Sequence, residues 1–280
     1  PNYAFTTAST GGGGGGGEVI YLTQTQIATP IILNQSGATY ILQNNLTCTG
    51  TCFVVAANNI TLDLGGRTVT FGTDAGKYRY GVVLPPGYVP NLPTYDLNEI
   101  GTNFKGSDEF ILRNGSLVQG GAGSYNKAFF SDEGSNGIEV HHITGLYQGT
   151  DSEGLVALGG SRINIHDNTV QANLVRISNR HQSKAAISIA GVRGGYINVR
   201  NNTVYGTGQF GINVSSKKSQ PVTEVEISNN KMSINGITTN PYQLVVHGFS
   251  KKRQNTSINI FGNRIESPGS VSNRGLLLEG

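Results

Sequence analysis

One phrase recurs along this 280-residue chain: an apolar pair around a variable residue, then a polar stretch closing on Asn and another apolar residue. It reads Ile163-Asn164-Ile165-His166-Asp167-Asn168-Thr169-Val170 and returns as Ile197-Asn198-Val199-Arg200-Asn201-Asn202-Thr203-Val204. Two more copies are Val225-Glu226-Ile227-Ser228-Asn229-Asn230-Lys231-Met232 and Ile258-Asn259-Ile260-Phe261-Gly262-Asn263-Arg264-Ile265. Their first residues lie 34, 28 and 33 positions apart, the spacing of a solenoid repeat. Looser copies begin at Ile138, Phe110 and Ile60; the 50-residue step from Ile60 to Phe110 requires an insertion.

Within each copy the apolar residues alternate with period two, the mark of a strand with one buried face. A second strand signal precedes most copies, as in Gly154-Leu155-Val156-Ala157-Leu158, Ala186-Ile187-Ser188-Ile189, Gly211-Ile212-Asn213-Val214 and Leu244-Val245-Val246. Two or three short strands per turn, with no helical period between them, predict an all-β parallel β-helix with coils of 25–34 residues. Stacked coils sit about 4.8 Å apart, so equivalent residues form ladders along the axis. Asn168, Asn202, Asn230 and Asn263 occupy one such position. They are expected to be structural, hydrogen-bonding along the stack and holding a tight turn whose unusual backbone angles Asn tolerates.

These repeats resemble the right-handed, single-stranded parallel β-helix proteins of the pectin-lyase-like superfamily. The run from Ala38 to Cys52, followed by Asn59-Ile60-Thr61-Leu62-Asp63-Leu64-Gly65-Gly66, is similar to the opening coils of many secreted members, and the resemblance covers roughly residues 18–280. It implies a secreted, cell-surface or periplasmic protein that contacts polysaccharide. It does not single out a chemistry, because lyases, hydrolases, tailspikes and adhesins share the scaffold. The Gly-His-Gly and Arg-Ile-Lys segments of the family's polygalacturonases are absent, as are the pectate-lyase Trp-Ile-Asp-His and Arg-x-Pro-x-x-Arg signatures; Asp151-Ser152-Glu153 is a distant echo of a paired-aspartate motif.

Composition fits that scaffold: 40 glycines serve turns, and charged residues are only 13%. No run of about 20 apolar residues is present to span a membrane. A net charge of +3 with dispersed basic residues argues against nucleic acid, though a mildly basic surface suits an acidic polysaccharide. Cys48 and Cys52 flank Gly50, which permits a tight reversal, so a disulfide in an oxidising compartment is expected. A metal pair would need further ligands, and a redox pair a different spacing. Residues 1–17 are expected to form an arm on a flexible poly-Gly linker, either disordered or pairing with a neighbouring molecule's strand edge. The strand-like end at Gly280 is expected to continue or to be covered by another chain, which makes self-association through coil ends a second candidate interaction.

Candidate functional residues come from aligning the copies. The residue after the inner pair gives Asp63, Arg113, His141, His166, Arg200, Ser228 and Phe261; the residue between gives Thr61, Ile111, Glu139, Asn164, Asn198, Glu226 and Asn259. Both ladders should face solvent on one wall. Glu139, His141, His166 and Arg200 are therefore catalytic candidates for general acid/base work, with Arg113 and Asn164 binding substrate. An ordinary solvated sheet presents the same pattern. A second basic group, Arg180, His181 and Lys184 with Arg176 and Arg193, lies in the turn before Ile197 and suits uronate carboxylates. Asp151 and Glu153 suit calcium or an acid pair. In the insertion, placed at 73–107, Tyr78, Tyr80 and Tyr88 can stack on sugars or staple the loop. Two functions follow: a polysaccharide lyase or glycoside hydrolase, or a non-catalytic adhesin or appendage subunit.

Overall fold

The computed structural model describes residues 6–7, 17–84, 107–131, 135–158, 160–177, 184–191, 195–216, 224–237, 241–249, 256–266 and 274–279. Among them there are only strands, turns and bends, and the strands stack into a parallel β-helix of three walls. The first wall holds, among others, Thr61–Asp63, Arg162–His166, Tyr196–Arg200, Glu224–Ser228 and Ser257–Phe261. The second follows around a tight corner with Thr68–Phe71, Thr169–Arg176, Thr203–Gly208 and Lys231–Gly236. Strands Phe110–Gln119 and Ile138–Thr150 run continuously across that corner, which merges both walls into one 17-stranded sheet. The third wall is a separate sheet of nine strands, one from each coil, from Ile31–Leu33 to Arg274–Glu279.

Alternation builds the core. Ile163, Ile165, Ile197, Val199, Val225 and Ile227 point inward from the first wall and are at most 1% exposed. Val170, Val204 and Met232 close the second wall, and Ile187, Ile212 and Leu244 the third. Two coils precede the phrase as the repeat defines it, beginning with strands Val19–Leu22 and Thr39–Leu42. They carry the inward alternation of Ile20, Leu22, Tyr40 and Leu42 without an Asn corner. In the last described coil, Ile258, Ile265, Leu276 and Leu278 are exposed, whereas their partners Val225, Met232, Leu244 and Val246 are buried.

The Asn ladder is continuous and structural. The Asn202 Oδ1 accepts from the backbone N–H and the Nδ2 of Asn168, and its own Nδ2 donates to Ile165 O and to Asn230 Oδ1. Asn230 repeats the pattern with Asn263 and Val199. One expectation is corrected here. The unusual backbone angle belongs to the residue before each ladder Asn, with φ of 55° at Asp167, 56° at Asn201, 55° at Asn229 and 65° at Gly262. The left-handed residue turns the chain, and this frees the Asn side chain behind it to reach the neighbouring coils.

Two further expectations change and a third, the disulfide, is met. The insertion is shorter than 73–107, because Tyr80–Leu84 is a regular third-wall strand paired with Phe53–Val55 and Lys127–Ser131; residues 85–106 lie outside the described residues. In the arm, Thr6 and Thr7 pair antiparallel with Tyr21 and Ile20 of the same chain, where either disorder or pairing with a neighbouring molecule was expected. Cys48 and Cys52 are joined, with Cα atoms 5.5 Å apart and both side chains fully buried.

Candidate functional site

The first wall presents its outward residues in the predicted columns. Backbone pairing sets Asp63 beside Arg113, Arg113 beside His141, His141 beside His166, and His166 beside Arg200. It likewise sets Ile111 beside Glu139, Glu139 beside Asn164 and Asn164 beside Asn198. The rings of His141 and His166 stack at 5.0 Å between centroids and 3° between planes. His166 Nε2 lies 2.9 Å from Glu139 Oε1, and its Nδ1 lies 2.6 Å from Asp167 Oδ2. One imidazole thus sits between two carboxylates. Glu139 also accepts from Asn164 Nδ2 at 3.3 Å, and Asp167 from Asn201 Nδ2 at 3.1 Å. On the other side, Arg113 Nε donates to Asp63 Oδ2 at 2.8 Å.

Not all of this strip faces solvent as alternation predicts. His166 is only 8% exposed and Ser228 2%. Both point outward, but His166 is roofed by the stacked His141 ring and by the two carboxylates it joins. His141 is half-buried and its neighbour His142 exposed, their Nδ1 atoms 2.8 Å apart. Burial holds His141 below the usual histidine range; Glu139 opposes this, while His166, His142 and Arg113 add to it. Asp167 is held below the usual carboxylate range by its hydrogen bond from His166, against the opposing effect of burial, with help from Asn201 and Arg200.

The charge on this wall differs from that of the whole chain. Asp63, Glu109, Glu139, Asp167, Glu224 and Glu226 stand against Arg113, Arg162 and Arg200. Arg113 is held by Asp63 and Arg162 by Glu109. A chain of net charge +3 therefore carries an acidic first wall.

Participants that the column alignment omitted are Asp167, His142, Arg162, Glu109 and Tyr196. Asp167 and His142 occupy the left-handed corner, with φ of 55° and 54°. The corner throws their side chains back beside the column that precedes them. Arg162 and Tyr196 pair in register at the opposite margin, one residue before the inner pair. Extending the alignment by one position at each end would have found all five.

The other candidates do not join this strip. Tyr80 is 5% exposed on the outer side of the third wall, stacked on Phe130 at 5.5 Å, so it staples that wall. Tyr78 stacks on Tyr125 at 5.2 Å. Lys184 is 4% exposed, with Nζ 5.4 Å above the Tyr125 ring, and is no part of a solvated basic turn. Asp151 is fully buried, and Glu153 is buried in an ion pair with Lys127 at 3.5 Å. Asp151 sits at a left-handed corner, φ 52°, and Glu153 opens the third-wall strand Glu153–Leu158; among the described residues no group of three or more metal-binding side chains is present. The charge of Glu153, together with burial, pushes the Tyr147 hydroxyl well above the usual tyrosine range, with burial the larger cause. Arg180, His181 and Tyr88 lie outside the described residues. The third wall's outward positions Val54, Val83, Val156, Ser188, Asn213 and Val245 are at most 5% exposed, which leaves the first and second walls as the exposed polar surfaces.

The class this fold defines is the all-β parallel β-helix. No family model, no curated protein and no solved structure matches the chain.

Proposed function

We propose that this protein is a pectin-lyase-like β-helix that binds polysaccharide along its first wall and cleaves it by general acid/base chemistry. The observation that carries the reading is the parallel stack of His141 on His166, with His166 held between Glu139 and Asp167. A lowered pKa keeps His141 unprotonated near neutrality and able to take a proton from a substrate hydroxyl, water or carbon acid. In this reading the leaving glycosidic oxygen takes its proton from the hydrogen-bonded Glu139–His166–Asp167 chain one coil away. Repetition along the axis suits a polymer better than a compact metabolite. The buried Cys48–Cys52 bond fits an oxidising, extracellular setting.

The test is incubation with neutral and acidic polysaccharides, followed by assay of new reducing ends and of unsaturated uronate products. His141→Ala is expected to lower the rate by about 10²-fold or more. The low-pH limb of the rate should fall below the ordinary histidine range, because His141 must lose its proton to act and its pKa is depressed. Undiminished turnover in His141→Ala would overturn the assignment. The second reading is a non-catalytic surface protein. It is favoured by the mutual satisfaction of Glu139, His166 and Asp167 within the wall, and total absence of product across the glycans would select it.

A further inference from the structure

His141 is held on two sides by other imidazoles. Its face lies on His166 in the parallel stack, and its edge meets His142, whose ring stands at 82° to it with the two Nδ1 atoms 2.8 Å apart. Two neutral ring nitrogens at that distance need one proton between them, so one ring donates its Nδ1–H and the other accepts it. The carboxylates of Glu139 and Asp167 are engaged by His166. The contact with His142 therefore fixes which nitrogen of His141 carries the proton.

The turn itself does not ask for an imidazole. Backbone register puts His142 in one corner column with Asn114, Asp167, Asn201, Asn229 and Gly262, where φ lies between 54° and 65° throughout. The other coils make this left-handed turn with Asn, Asp or Gly, whose short or absent side chains suit it. An imidazole at the same place adds nothing to the turn. What it does add is a ring nitrogen against His141.

We infer that His142 is a positioning residue for His141, accepting its Nδ1–H and so holding the neutral ring with the lone pair on Nε2. This rests on the reading of His141 as the general base, because the opposite arrangement would disable it. With the shared proton donated by His142, His141 would carry its own proton on Nε2 and have no lone pair left for a substrate. In the productive arrangement, Nε2 takes the proton from the substrate hydroxyl, water or carbon acid, and Nδ1–H stays on His142 throughout. The proton on Nε2 then leaves to product or solvent. Positive charge thus appears on His141, where Glu139 favours it and His166, His142 and Arg113 oppose it.

Long-range proton–nitrogen NMR of the full chain, above the ordinary histidine range of pH, reads both tautomers directly. His141 is expected with a protonated Nδ1 and a bare Nε2, and His142 with the reverse. His142→Gly matches the Gly262 corner and removes the acceptor; His141 should then shift toward the Nε2–H form, and kcat should fall about tenfold or more with KM unchanged. His142→Asp matches the Asp167 corner and restores an acceptor. It should return the Nδ1–H form and the rate, and its carboxylate should move the low-pH limb of the rate upward. Both replacements already make this turn in other coils, so both variants are expected to fold. A bare Nδ1 on wild-type His141, or a tautomer indifferent to His142→Gly, overturns the inference. The tautomers are read without turnover, which separates the two proposals. The expected tautomers with no product from any glycan remove the general base and leave the His142 contact standing. Product that requires His141 but is indifferent to His142→Gly leaves the base and removes the positioning role.

Discussion

Replacing Asn202 by Ala removes the middle rung of the ladder, and the structure sets the size of the effect. Asn202 is 1% exposed, and its amide makes four hydrogen bonds: two accepted from Asn168 and two donated to Ile165 O and Asn230 Oδ1. Asn168 Nδ2 keeps Val140 O, and Asn230 Oδ1 keeps the Asn202 N–H. The Asn168 backbone N–H loses its side-chain acceptor inside the wall, which costs about 1–3 kcal/mol, and the remaining bonds contribute about 1 kcal/mol each at most. A loss of about 3–4 kcal/mol is expected, a large share of the ~5–15 kcal/mol that holds most domains. The control is Asn201→Ala one residue earlier, exposed and at φ 56°, where placing Ala in the left-handed region costs about 1 kcal/mol. Urea unfolding of both variants gives the comparison, read as midpoint shifts at unchanged slope. If Asn202→Ala unfolds no earlier than Asn201→Ala, the ladder does not hold the coils together and the reasoning fails.

The remaining expectations concern acid, redox and packing. Asp167 has a folded pKa below its unfolded value, so it contributes stability above the ordinary carboxylate range that is lost as pH falls through the folded pKa. Asp167→Asn should flatten that part of the acid unfolding curve, and a curve unchanged from wild type would show that the His166 contact carries no such stability. For His141 the depressed pKa has the same sign, because the folded state favours the neutral ring: stability falls as pH drops from the ordinary histidine range through the folded pKa, and His141→Gln should remove that decline. Reducing the Cys48–Cys52 bond releases a loop with a sequence separation of only 4, for which loop entropy gives about 2 kcal/mol. Thermal melts with and without reductant measure it. Since both sulfurs are buried, labelling of the native protein should be slow even under reductant. Gly154→Ala should be strongly destabilising, because a Cβ there meets the Ala186 carbonyl at 2.3 Å; a wild-type melting temperature would contradict it.

Much of the scaffold is legible without coordinates because every coil solves the same packing problem. Inward positions must be apolar at period two, and the corner needs a left-handed residue followed by an amide. Ile163 to Val170 states both requirements in eight residues, and so do its later copies. The first coils escape the pattern because Ile20, Leu22, Tyr40 and Leu42 meet only the first requirement. Likewise, Tyr80–Leu84 hides within what reads as an insertion, since its aromatic and glycine residues resemble a loop.

The sequence by itself determined the register, because ladders of identical polar and apolar residues cannot slip without burying charge or exposing the core. That register was enough to set His141 beside His166 and Glu139 beside Asn164. Tertiary structure alone decided which of these residues are accessible and what they bond. Outward alternation applies equally to His141 and His166, yet stacking and two carboxylates cover the second and leave the first. Glu153 and Lys184 read as solvated turn residues and are buried on or beside the third wall. Glu109 and Arg162 are 53 residues apart, and only the stacking of coils lets them pair past Gly137 to frame a cleft. Sequence periodicity constrains which way a side chain points; what covers it depends on segments from other coils, and no local pattern encodes them.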